Sequence, residues 1–161
     1  MAAPKTIKLK NFSDVNEEIV ATAVAITPGM LLERTSANLV QAHSTAGGNL
    51  LQMFACEDEL QGKSITDNYV ASDPIQVWFP GRGDWVYAIL ADDNSVAIGD
   101  MLESAGNGYL QKHAADNSAA ANVTNQIVGV ALDAVDLTGD SSTESSASPL
   151  GVAKRIRVQI L

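Results

Sequence analysis

The chain has 161 residues, a formal net charge of −9, and a composition that is 46% hydrophobic but only 5% aromatic. That length fits one domain with a core large enough to need neither metal nor disulfide, and the hydrophobic share excludes wholesale disorder. The negative charge argues against direct contact with nucleic acid, whose phosphates would repel it.

Taken in chain order, the first element is "TIKLK" (6–10), where Ile7 and Leu9 alternate with Lys8 and Lys10. A two-residue period marks a half-buried strand. Residues 1–12 are therefore expected to form either an extended N-terminal arm or a first strand, ahead of a single β-rich domain over 13–161. Further strands are expected at "EEIVATAVAI" (17–26), "GMLLER" (29–34), "NLVQA" (38–42), "LLQMFA" (50–55), "PIQVWF" (74–79) and "DWVYAIL" (84–90). The series continues with "DMLES" (100–104), "GYLQK" (108–112), "QIVGVALDAV" (126–135) and "RIRVQIL" (155–161). Turn signals separate these runs, a spacing that predicts an all-β barrel or sandwich. Helix is expected only as one turn in "ACEDELQGK", ended by Gly62.

Sliding the chain against itself aligns "PGMLLERTSANLVQAH" (28–43) with "IGDMLESAGNGYLQKH" (98–113) without gaps. Gly29, Leu32, Glu33, Gln41 and His43 meet Gly99, Leu102, Glu103, Gln111 and His113. Each copy precedes another apolar run, "LLQMFACED" or "IVGVALDAVD". The repeat predicts two related halves, each containing a hairpin. Two segments read as exposed loops: "AADNSAAANVTN" (114–125) and a flexible Ser/Thr-rich stretch over about 136–153.

No apolar run of 18 residues exists, so no transmembrane helix and no membrane partner are expected. The N-terminus lacks the hydrophobic stretch of a signal peptide. Synthesis in the cytoplasm is expected, with the sequons "NFS" and "NVT" left unmodified. Charge is unevenly placed: all 19 acidic residues lie between Asp14 and Glu144, while Lys5, Lys8, Lys10, Lys154, Arg155 and Arg157 gather at the two ends.

Several motifs have residue types that can carry chemistry. Arg82-Gly83-Asp84 within "FPGRGDW" matches an adhesion tripeptide, but Pro80, Gly81 and Gly83 suit a hairpin turn with Asp84 bonding its amides. The turn is the favoured reading. His43 and His113 have no second ligand at metal spacing, and their repeat positions account for them. "CEDE" (56–59) and "ADDN" (91–94) read as solvated carboxylates, and "DLTGDSSTE" fails the calcium-loop pattern. "GDSS" (139–142) has no strand–turn–helix to aim a serine. Cys56, the single cysteine, reads as a small buried hydrophobe. No catalytic, cofactor-binding or metal residue is assigned, and the chain is expected not to be an enzyme.

The succession "ITPGMLLE", "FACEDELQGKSITDNYVASDPIQVWFPGRGDWVYAIL", "IGDMLESAGNGYLQKH", "IVGVALDAVD" and "RIRVQIL" resembles the head decoration, or cement, proteins of tailed bacteriophages. The resemblance runs from about Ile26 to Leu161 and is densest from Phe54 to Leu90. It implies a β-rich homotrimer on the outer surface of the virion head, at threefold and quasi-threefold positions. There it would clamp the major capsid protein against the pressure of packaged DNA. It also implies capsid binding by an N-terminal strand, here Thr6, Ile7, Lys8, Leu9 and Lys10. The alternative is a surface adhesion or glycan-binding module presenting the Arg82-Gly83-Asp84 turn.

Overall fold

The computed structural model describes residues 4–22, 25–114, 125–139 and 155–161. Its strands in the first half are β1 (Lys8–Lys10), β2 (Asn16–Val20), β3 (Leu32–Arg34), β4 (Val40–Ala42), β5 (Phe54–Ala55) and β6 (Pro74–Trp78). The second half contributes β7 (Trp85–Ile89), β8 (Ser95–Val96), β9 (Met101–Ser104), β10 (Leu110–Lys112), β11 (Ile127–Ala131), β12 (Val135–Asp136) and β13 (Arg155–Ile160). One 3-10 turn spans Glu59–Gln61, capped by the Asp58 side chain and ended by Gly62 at φ 71°. The expected all-β fold is what forms. The run at 50–55 keeps only Phe54–Ala55 as strand, and the short β8 lies in a stretch with no alternation to announce it.

Four antiparallel groups result: β1-β7-β13-β11-β9-β10, β2-β6-β5, β3-β4 and β12-β8. They pack as a sandwich-like body rather than a closed barrel. The repeat seen in sequence reaches well beyond the hairpin. In the first half Leu32 faces Ala42 and Glu33 faces Gln41; in the second Leu102 faces Lys112 and Glu103 faces Gln111. The correspondence continues outward. Asn16 faces Trp78 and Glu17 faces Val77, as Trp85 faces Gln159 and Val86 faces Val158. Likewise Ala55 faces Val77 as Ala131 faces Val158. So β2, β3, β4, β5 and β6 match β7, β9, β10, β11 and β13 in order, direction and register.

Each half brings its two ends together by a single parallel bridge, Ala21 to Val40 and Leu90 to Leu110. The bonds are equivalent: Thr22 N–H donates to Val40 O at 2.9 Å and Ala91 N–H to Leu110 O at 2.8 Å. Each repeat hairpin is entered through a glycine at positive φ, 93° at Gly29 and 92° at Gly99. L side chains rarely adopt that backbone, which is why glycine stands at both points.

Two apolar clusters fill the body. One holds Ile19, Ile26, Leu32, Val40, Ile75 and Val77 of the first half. The other fills the second half with Val86, Leu102, Leu110, Val128, Ile156 and Val158, and takes in Ile7, Leu31, Phe54 and Trp78. The halves are thus fused through shared core. Buried aliphatic and aromatic surface at roughly 25 cal/mol per Å² supplies the main stabilisation.

The N-terminal segment does not project as an arm. Lys8 pairs with Val86 and Lys10 with Trp85, with an irregularity between them, so β1 is the first strand of the chain's own largest sheet. Residues 140–153 of the Ser/Thr-rich stretch, and 115–124 of the other loop, lie outside the described residues. Within 136–139, Asp136 accepts Thr138 N–H at 3.0 Å and Gly139 N–H reaches Asp93 at 2.9 Å.

Candidate interaction surface

Strand β1 ends the order of its sheet, so one side of it carries no neighbouring strand among the described residues. Ile7, just before it, is 0% exposed, and Leu9 packs against the same core. The Ile7 carbonyl accepts Tyr87 N–H at 2.9 Å, and its amide donates to the Glu57 carboxylate at 3.1 Å. Ile7 is therefore an anchor, withdrawn from any partner. Thr6, Lys8 and Leu9 are half-buried and Lys10 is exposed. The Lys8 ammonium lies 5.6 Å from the Trp78 ring centre, bonds Asn16 and sits 3.7 Å from Asp14. Lys10 lies 4.9 Å from the Phe12 ring and 5.2 Å from the Trp85 ring. With no ion pair among the described residues, Lys10 is a cation held over two rings. Around Lys10 the surface is thus aromatic and basic on a net acidic body, whereas Lys8 lies over the buried Trp78 with Asp14 beside it.

A shallow cavity of about 250 Å³ adjoins β1, bounded by Lys8, Asn16, Glu57 and Gln76, with the exposed Leu60 beside it. Cys56 lines it too. Burial pushes the Cys56 thiol up to about 12, so the sulfur stays protonated and is a poor nucleophile. The "CEDE" carboxylates were expected in solvent, yet Glu57 is only 7% exposed and Asp58 is buried as well. Each is buried because it has backbone amides to accept: Ile7 for Glu57, Gln61 for Asp58. "ADDN" is nearer its expectation, with Asp93 exposed and Asp92 half-buried.

The "PGRGD" corner differs from the expected hairpin. β6 and β7 belong to different sheets, so the corner carries the chain from one to the other. Only Gly83 has positive φ, 90°; Gly81 does not need it. Asp84 is 0% exposed. Its carboxylate accepts the amides of Gly81 at 2.7 Å, Ser13 at 3.3 Å, and Phe12. An adhesion ligand must offer this carboxylate to a receptor. Here it ties the N-terminal segment to the corner, while Arg82 is exposed and Gly83 half-buried.

The histidines occupy the equivalent positions that the repeat implied, but with different partners. His43 is fully buried, with Nδ1 2.7 Å from Ser104 Oγ and Nε2 3.1 Å from Asn49 O. Glu33 stands 3.8 Å from Nε2. A Ser–His–Glu trio of this kind resembles a hydrolase constellation. Ser104 and His43 are both sealed from solvent, however, so no substrate carbonyl reaches the hydroxyl. The Asn49 carbonyl fixes the proton on Nε2, and Ser104 then donates to Nδ1. His113 Nδ1 lies 2.6 Å from Glu103 Oε2, a carboxylate that also accepts Gln111 at 2.9 Å and Asn125 at 2.9 Å. The arrangement saturates Glu103 rather than aiming it at a ligand. Among the described residues, no three His, Cys, Asp or Glu side chains gather as a metal site, and no helix is long and apolar enough to cross a membrane.

Sequence reasoning missed Glu57 and Phe12. No short-range pattern marks either: Glu57 reaches Ile7 across 50 residues, and Phe12 is placed by Asp84 across 72. No family model matches the chain, and no curated protein matches it.

Proposed function

We propose that this chain is a structural bacteriophage capsid decoration protein, a cement subunit that binds the outside of the head as a homotrimer and stabilises it against internal DNA pressure. The sequence resemblance motivates the reading. The observation that carries it is the edge strand β1, which presents Lys8 and Lys10 over aromatic rings at the free side of the six-stranded sheet. An edge of this kind can continue into a neighbour's sheet, with main-chain bonds for affinity and side chains for specificity. Its basic character suits an acidic patch on the major capsid protein. Trimeric attachment multiplies weak contacts through effective concentration. Neither a cofactor nor an enzymatic step has a part in this reading.

The test is co-sedimentation with expanded empty heads, together with the temperature at which the heads disrupt. Added protein should pellet with the heads and raise that temperature. The double substitution Lys8→Glu with Lys10→Glu should abolish both effects while the subunit stays folded. Heads unaffected by saturating wild-type protein would remove the proposal.

A further inference from the structure

The internal repeat exposes a second strand-accepting edge. In the second half, the outward amides of Tyr87 and Ile89 in β7, and of Ala91 just beyond it, find acceptors: Tyr87 donates to Ile7 O at 2.9 Å, Ile89 to Gly29 O at 3.2 Å and Ala91 to Leu110 O at 2.8 Å. The register identifies their first-half counterparts as Glu18, Val20 and Thr22. Val15 O accepts Phe79 N–H at 2.9 Å and Ala21 N–H donates to Asp73 O at 2.9 Å, so the odd-numbered residues of β2 face β6. Asn16, Glu18 and Val20 therefore face away from it. Thr22 does find its partner, Val40 O at 2.9 Å. Glu18 and Val20 have no acceptor among the described residues, and both are exposed, Val20 by 43%.

We infer that the outer edge of β2, at Glu18 and Val20, accepts an extended strand of alternating apolar and basic residues supplied by another protein. Three observations identify the occupant. The equivalent edge is filled in this very molecule, at Tyr87 (the counterpart of Glu18) by the strand "TIKLK" and at Ile89 (the counterpart of Val20) by Gly29, so the shape and register of an added strand are known. The first half replaces the Trp85, Val86 and Tyr87 of that edge with Asn16, Glu17 and Glu18. Glu17 is ion-paired with Arg34, and Glu18, which among the described residues accepts only the Gln76 side-chain amide at 3.1 Å, leaves a negative charge where the counterpart edge is apolar. Unpaired edges invite such pairing, and acidic side chains select a basic strand. A second copy's own β1 is not the donor, because Ile7 is wholly buried in its own core and would have to be extracted. The inference goes beyond the capsid reading: there the chain lends a strand, whereas here it receives one, from whatever protein supplies it.

The probe is a synthetic peptide of sequence KTIKLKNF added to the full chain, read by amide hydrogen exchange. Binding should slow exchange at Glu18 and Val20 by about tenfold or more at saturation. Glu18→Pro removes the outward amide at an edge position that tolerates proline, and should abolish the effect. Glu18→Lys, which keeps the amide and the fold, should weaken binding by about tenfold and shift preference to the acidic analogue ETIELENF. No slowing at about 1 mM peptide, the weak end of specific binding, would overturn the inference. So would a change confined to Tyr87, whose amide β1 holds, which would mean the peptide merely displaces β1. Self-association of the peptide-free chain that is lost in Glu18→Lys would also overturn it, by making a second copy the occupant. Head binding by wild-type protein tests the capsid reading separately and is not an arm of this experiment.

Discussion

The Asp84 carboxylate accepts the backbone amide of Phe12, residues 72 apart in sequence. With Ser13 and Gly81 as further donors, it fastens the end of β1 to the corner between the two sheets. Asp84→Ala should destabilise the chain by about 3 kcal/mol, the scale of losing charge-assisted bonds and stranding their amides. Arg82→Ala, at an exposed position, should change stability by less than about 0.5 kcal/mol. Urea midpoints of the two variants check both. An Asp84 variant of full stability would mean that the carboxylate is not structural.

Deleting residues 1–10 is not a clean way to remove a docking arm. Ile7 is buried, and its loss alone forfeits roughly 1.5–3 kcal/mol of side-chain burial besides leaving Glu57 without its amide. The truncated chain should melt roughly 5–10 °C lower, as followed by circular dichroism. An unchanged melting temperature would restore the arm reading.

The two repeat glycines share one backbone conformation but not one environment. A Cβ at Gly29 would stand 2.9 Å from Tyr87 O, whereas one at Gly99 would meet nothing within 4 Å. Gly99→Ala should thus cost only backbone strain, about 1 kcal/mol, and Gly29→Ala at least about 3 kcal/mol through the added clash. Equal costs for the pair in denaturant titrations would contradict the packing described.

Acid should weaken the second hairpin. Burial alone would raise the Glu103 carboxyl, but hydrogen bonds from His113, Gln111 and Asn125 outweigh it and hold it below its ordinary 4.5. A carboxylate lowered by folding contributes stability that is complete above its unfolded value and lost as pH falls through its folded one. Stability should therefore decline below about pH 4.5, and Glu103→Gln should flatten that decline. Urea midpoints from pH 6 to pH 3 measure it; an unaltered slope in the variant would assign the decline elsewhere.

Cys56 should resist thiol reagents in the native state, because burial keeps it protonated and out of reach. Labelling at pH 8 by a disulfide reagent should proceed only as fast as the chain opens, accelerating with denaturant. Prompt stoichiometric labelling without denaturant would show an open path through the adjoining cavity.

Most of the strands, though not β8, and the duplicated hairpin were legible in the sequence. Alternation in "TIKLK" and "RIRVQIL", and the matched Gly29/Gly99 and His43/His113, are local or periodic signals, and side chains of period two leave them in the chain itself. The match of β5 to β11 showed in the sequence only as an apolar run after each hairpin, and the match of β2 and β6 to β7 and β13 was not legible. β2 and β7 share no residue, and the matches of β5 and β6 to β11 and β13 rest on the common apolar Ala55/Ala131, Ile75/Ile156 and Val77/Val158, because sheet register constrains which face is apolar rather than which residue stands there. Tertiary structure alone decided that β6 and β7 part into different sheets, that Asp84 and Glu57 turn inward, and that β1 docks on β7. Each depends on which distant amide a carboxylate or strand finds. An alternating pattern states that a strand will pair, but the partner is chosen by the packing of the whole chain.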